Sequence, residues 1–252
     1  MRAYSEWGSQ KVLIDRIEPT HYVRNYLVLK LIKKYSKEYG IKRVCEIGCG
    51  TGSLSAELGK LGMEVDASDL DKNAVELAKK FNSHKNVSYS PKNAIALKSS
   101  RKYDMVIAIE VIEHIKEDRK ALLKINKALK ANGLLVVTAP IHEKYRKDFD
   151  NRSGHVRRYG PEELIRKIKN AGFDVIYERR FNFPLLWLWY FFVYLPYSDK
   201  KEKQMKASKS PVKKLPAWIG IFKIINKLFL IDLLFDSKEF STEMLVIAKV
   251  SK

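Results

Sequence analysis

Four side chains in this sequence have the types and the spacing to activate a hydroxyl group: Glu110, Glu113 and His114 in "EVIEHI", and His155 in "NRSGHVRRYGPEEL". If the first segment turns helical, its three residues fall at i, i+3 and i+4 and share one face. Two carboxylates with two imidazoles form a donor set for a divalent cation such as Mg²⁺ or Mn²⁺, which would orient and acidify a bound hydroxyl. Without a metal, the same pattern leaves His155 as a general base or substrate contact, with Arg157 and Arg158 beside it. The remaining reading is structural, with Glu110 and His114 as wall or helix-start residues of a crevice.

A second constellation lies upstream, in "VCEIGCGTGSLSAELGKLG". Glycines at 48, 50 and 52 follow a short apolar run and open a helix-like segment, so the backbone there can turn tightly and approach a ligand. Asp69 follows about twenty residues later, at the tip of the next strand, where an acid can accept hydrogen bonds from two ribose hydroxyls. The loop reads G-x-G-x-G with Glu46 just before it, whereas a dinucleotide site wants G-x-G-x-x-G. An oxidoreductase is therefore disfavoured.

The elements that must hold these residues alternate along the chain. Residues 20–39 carry apolar side chains at helical spacing and stop at Gly40. Strands are expected at "KRVCEIG", "MEVDASD", "VSYSP", "YDMVIAIE", "LLVVTAP" and "FDVIYERR". Helices are expected between them at "LSAELGKLG", "KNAVELAKKF", "KALLKINKALKANG", closed by Asn132-Gly133, and "PEELIRKIKNAG", opened by Pro161. This order means βαβ units and a parallel sheet with helices on both faces. Open sheets of that kind bind ligands beyond the carboxyl ends of their strands, where Glu110 and Asp69 both fall.

With these motifs in hand, the sequence resembles the class I S-adenosylmethionine-dependent methyltransferases over residues 40–180. "EIGCGTG" is similar to their first motif, "DLDKNAVELAKK" to the segment that opens with the ribose-binding acid, "YDMVIAIEVIEHI" to their fourth strand, and "ALKANGLLVVTAP" to the helix and strand after it. The resemblance implies that Glu46, Gly48, Cys49, Gly50, Thr51 and Gly52 hold the methionine part of the cofactor and that Asp69 holds the ribose. It also counts Leu70, Asn93, Ala94 and Glu110 among the cofactor-binding positions. Asn93 stands where the family usually has an acid for the adenine amine, and its amide oxygen can accept the same bond. Glu113, His114 and His155 are expected to line the acceptor side. The E-x-x-E-H segment resembles that of the O-methyltransferases of quinone biosynthesis and of the enzymes that methylate the terminal 2'-hydroxyl of small RNAs, in which the equivalent positions bind metal. The implied fold is a single Rossmann-like α/β domain of seven strands. Residues 1–40 form an N-terminal helical cap, 41–180 the cofactor core, 181–240 an aromatic and lysine-rich insertion or lid, and 241–252 the antiparallel last strand.

Composition frames the partner. The 252 residues carry 48 Lys and Arg against 29 Asp and Glu, a net charge of +19, which calls for something anionic nearby: nucleic acid, phospholipid or a phosphorylated substrate. Cys45 and Cys49 read as reduced packing residues of a cytosolic protein, and "MRAYSEWGSQ" lacks the apolar run of a signal peptide. The insertion holds "FPLLWLWYFFVYL", thirteen uncharged residues of which seven are aromatic, then seven lysines against two acids between Ser198 and Lys214. Thirteen residues are too few to span a bilayer, so the segment reads either as an interfacial element on anionic lipid or as a lid packed on the sheet. The expected function is O-methylation of a small-molecule or lipid-linked acceptor in the cytoplasm, at the inner membrane surface for a lipid-linked one. RNA 2'-O-methylation and a non-catalytic cofactor-fold scaffold are the alternatives.

Overall fold

The computed structural model describes residues 18–93, 103–196 and 226–251. Helix α1, Pro19–Tyr39, starts where Pro19 fixes the first turn and Glu18 accepts from the His21 amide. It stops at Gly40, whose φ of 63° suits a residue without a Cβ. The chain then alternates β1 (Arg43–Ile47), α2 (Ser53–Lys60), β2 (Glu64–Asp69), α3 (Lys72–Phe81), β3 (Val87–Pro91), β4 (Tyr103–Ile109), α4 (Asp118–Ala128) and β5 (Leu129–Pro140). Short helix α5 (Asp148–Ser153), α6 (Pro161–Lys169), β6 (Phe173–Phe181), α7 (Leu185–Trp189) and β7 (Glu243–Val250) complete it.

The seven strands form one sheet in the order β3-β2-β1-β4-β5-β7-β6. β1 to β5 pair in parallel, while β7 runs antiparallel between β5 and β6. The last strand is therefore inserted in the sheet, with the 181–240 stretch intervening in sequence between β6 and β7. Alternation along the strands divides the core in two. Val106 and Ala108 of β4 pack with Leu135 and Val137 under α4 and α6, whereas Met105 and Ile107 pack with Leu134 and Val136 under α1 and α2. A sheet covered on both faces explains the continuous apolar run of β4.

One boundary departs from the sequence reading. The helix expected over 120–133 ends at Ala128, because Leu129 already pairs with Tyr103 of β4. The register then jumps to Met105↔Leu134. Asn132, with φ 62°, turns the intervening residues within the strand edge and does not cap a helix. The lysine-rich stretch and Ala94 lie outside the described residues.

Candidate active site

The sheet order reverses direction at β1 and β4, so the loops leaving these two strands flank the crevice. After β1, Gly48, Gly50 and Gly52 all take left-handed φ values, 71°, 52° and 78°. A Cβ on Gly48 would lie 2.4 Å from Val111 Cγ2, so the glycine loop presses directly against the turn that follows β4. The amides of Gly48 and Cys49 donate to the Ser68 carbonyl, and that of Gly50 donates to Asp69 Oδ2 at 2.9 Å. Asp69 Oδ1 accepts from the Asp71 amide. Asp69 thus splints the loop to the end of β2 while still carrying lone pairs for a ribose.

Around it, the other expected cofactor residues are spread over several environments. Glu46 is buried beneath the loop and accepts from Ser55 of α2; burial pushes its carboxyl up to about 7. Thr51 and Cys49 are buried, the Cys49 thiol is pushed upward by burial, and the Thr51 carbonyl takes the Asn82 amide. Leu70 is 54% exposed just past β2, and Asn93 is exposed beyond β3.

On the acceptor side, the expected helical face does not form. Glu110 has a φ of 54°, and only Ile112–His114 make a short 3₁₀ turn. Glu110 stays near Glu113 but finds its partners on β5 and α1. Its Oε1 accepts from Thr138 of β5 at 2.9 Å and its Oε2 lies 3.7 Å from Arg24 of α1, which in turn donates to Glu243 of β7 at 3.0 Å. Burial disfavours the Arg24 charge, and Glu243 and Glu110 overcome this to hold it protonated. This network bolts α1 over the ends of β4, β5 and β7. Sequence reading missed Arg24 and Glu243 because their partners are 86 and 219 positions apart in number and share no motif.

Glu113, His114 and His155 do converge: one donor atom from each lies within 4.8 Å of the others. The imidazoles meet edge to face at 4.8 Å. Glu113 is fully buried, and neither carboxylate oxygen has a hydrogen-bond partner. Burial, then the neighbouring Glu110, pushes its carboxyl well up. His114 is pushed down, by burial and then by His155.

Each imidazole is oriented from behind. His114 Nδ1 lies 3.1 Å from the Gly154 carbonyl, and because a carbonyl only accepts, Nδ1 carries the proton. His155 Nδ1 lies 2.9 Å from Asp150 Oδ1. Despite burial, hydrogen bonding from His155 and the charge of Arg158 hold Asp150 at about 2, so it is an ionised acceptor. In the neutral form of each ring the lone pair therefore lies on Nε2, the atom that can ligate a metal or take a proton. Asp150 is the other residue missed in the sequence. Its signal was local: it sits at the third position of α5, bonds the Lys147 amide, and precedes His155 by five residues across the Gly154 turn.

The donor set fits a divalent cation on the evidence of the orphaned, buried Glu113 carboxylate. Glu110 does not belong to that set.

Comparison with known proteins places the chain. A methyltransferase domain model matches residues 20–178. The ubiquinone biosynthesis O-methyltransferase of Rickettsia akari is 30% identical over 128 residues, 50% of this chain and 50% of that protein. The chain spans about half the length of the curated relatives it matches. The magnesium protoporphyrin IX methyltransferase of Synechocystis PCC 6803, solved with bound S-adenosylhomocysteine, superposes with a TM-score of 0.61 at 14% identity, covering 99% of this chain and 97% of that one. Phosphoethanolamine N-methyltransferase 2 of Haemonchus contortus superposes with a TM-score of 0.61 at 18% identity, covering 95% and 60%. The chain belongs to the class I S-adenosylmethionine-dependent methyltransferase family.

Proposed function

We propose that the protein transfers a methyl group from S-adenosylmethionine to a hydroxyl of a small or lipid-linked acceptor in the cytoplasm, at a membrane surface when the acceptor is lipid-linked. The observation that carries this is the convergence of Glu113, His114 and His155 beside the glycine loop, with both imidazoles presenting Nε2. S-adenosylmethionine supplies an already activated methyl group, so the chain's task is orientation, worth up to about 7 to 11 kcal/mol in favourable cases. The left-handed glycines open a cradle for the methionine part, and Asp69 stands where ribose hydroxyls would donate to it. A hydroxyl acceptor must also lose its proton, and His155 Nε2 is placed to receive it because Asp150 holds Nδ1 on the far side. With a divalent cation bound, Glu113, His114 and His155 would instead be its ligands, His155 Nε2 would no longer be the base, and the cation would acidify the acceptor hydroxyl. A hydroxyl of the quinone-precursor type is the acceptor suggested by the relative's name.

The test is calorimetric titration with S-adenosylmethionine and S-adenosylhomocysteine, with EDTA and with Mg²⁺ or Mn²⁺, followed by turnover on a catechol acceptor. His155→Ala is expected to leave cofactor affinity nearly intact and remove turnover. Abolished cofactor binding in that variant would overturn the division of the crevice, and no binding by the native chain would overturn the reading altogether.

A further inference from the structure

Among the described residues, the most exposed large apolar side chains, Leu234 and Phe192, lie on two short elements that the cofactor site does not use. One is α7 with its π-helical continuation Tyr190–Tyr194; the other is the 3₁₀ segment Phe229–Leu234. They are joined as one unit, because the buried Asp232 carboxylate accepts from the Leu185 amide at 2.9 Å and the Leu186 amide at 2.7 Å. Leu186 and Phe229 point inward against Val23 of α1. The opposite sides are bare. Leu188 and Phe192 stand one helical turn apart, and Leu228, Ile231 and Leu234 recur every third residue, which in a 3₁₀ helix places them in a single row. Phe192 is 69% exposed and Leu234 80%.

Isolated exposed leucines need no explanation, but two bare rows on one clamped unit do. The sequence between these two elements, residues 197–225, carries eight lysines against two acids. Apolar side chains beside concentrated lysine suit a lipid–water boundary, where the former enter the acyl edge and the latter meet anionic headgroups. A second copy of the chain is a poor occupant, since pairing would bring together two chains of net charge +19. Among the described residues no helix is long and apolar enough to cross a membrane, so the fitting mode is lying on the surface.

We infer that the unit formed by α7, its π-helical continuation and the 228–235 segment docks the protein on an anionic bilayer. This rests on the proposed reading for its purpose, because the unit reaches the acceptor side directly. Arg158 donates from Nε to Asp150, the residue that orients His155, and from Nη2 to Tyr190 Oη at 3.3 Å. Phe191 packs on Tyr145 at 5.4 Å from the same unit. A lipid-linked hydroxyl would thus be presented from the surface on which the enzyme lies.

The experiment is co-sedimentation of the full chain with phosphatidylcholine vesicles, with and without about 30% phosphatidylglycerol, at about 0.1 M and about 0.5 M NaCl. Binding is expected to the anionic vesicles only, and to weaken at the higher salt. Phe192→Ser with Leu234→Ser should lower the partition coefficient about tenfold or more without moving the thermal midpoint. Leu228→Ser with Ile231→Ser provides a second test should the first pair fold poorly. Equal binding by native and variant chains, or none by the native chain, overturns the inference. So does self-association seen by light scattering that the same substitutions abolish without any vesicle binding. S-adenosylhomocysteine titration of the same samples reports separately on the methyltransferase reading, so either can fail alone.

Discussion

At the scale of single residues, Gly48 and Asp69 carry the sharpest expectations. Gly48→Ala meets two independent penalties, a left-handed φ of 71° and a Cβ 2.4 Å from Val111 Cγ2. A loss of about 2 kcal/mol or more in thermal or denaturant unfolding is expected, and Val111→Ala should recover only the steric part. Asp69→Ala should weaken cofactor binding by about 1 to 3 kcal/mol in calorimetry, the cost of losing charge-assisted hydrogen bonds, with the Gly50 amide left unpaired besides. Unchanged affinity would remove Asp69 from the ribose site. Both residues were visible in the sequence because loop glycines and a strand-tip acid act through the backbone and keep fixed spacing. Glu110 was misplaced for the converse reason. Spacing i, i+3, i+4 assumes a continuous helix, and one residue at φ 54° sent its carboxylate toward Thr138 and Arg24.

At the scale of elements, α7 shows how a five-residue helix persists although it is too short to be stable alone. Asp232 supplies from another segment the cap that its own N-terminus lacks, satisfying two of the orphaned amides. Asp232→Ala should cost about 1 to 3 kcal/mol and accelerate amide exchange over Leu185–Trp189, leaving exchange in β1 and β4 unchanged. Asp232→Asn, which keeps an acceptor, should cost less. Exchange that rises equally across the sheet would mean that Asp232 supports the whole fold and not this unit. Most elements were legible because apolar period and end signals agreed, as at Pro161 and Gly40. The α4–β5 boundary was not. Leu129 continues a helical period on the page, yet in space it is claimed by Tyr103, and local periodicity carries no information on which pairing wins.

At the scale of the whole molecule, a net charge of +19 sets how the fold responds to acid. Asp104 lies at the amino edge of the sheet, where it accepts from the amides of Lys42 and Arg43 before β1 and from Lys130 Nζ of β5. Asp118 ties α4 to Arg157, Tyr159 and Lys167. Partial burial opposes ionisation of both, but these donors prevail, Lys130 first for Asp104 and Lys167 first for Asp118, so both carboxyls sit below the ordinary aspartate range. A carboxyl depressed in the folded state binds fewer protons there than in the unfolded chain. Its stabilisation is complete above the ordinary value of about 3.9 and is lost as pH falls through the lower folded value. Asp104→Asn should therefore be less stable than the native chain at neutral pH, with the difference closing as pH drops below about 4. Self-repulsion also grows in acid as carboxylates neutralise, and salt distinguishes the two effects. At about 0.5 M NaCl the Debye length shrinks to about 4 Å, which relieves long-range repulsion in both proteins while sparing the short contacts around Asp104. Denaturant titrations across pH at both salt concentrations should show a general recovery of acid stability with the native-to-variant gap retained at neutral pH. A gap that does not change with pH would show that Asp104 acts by shape and not by charge.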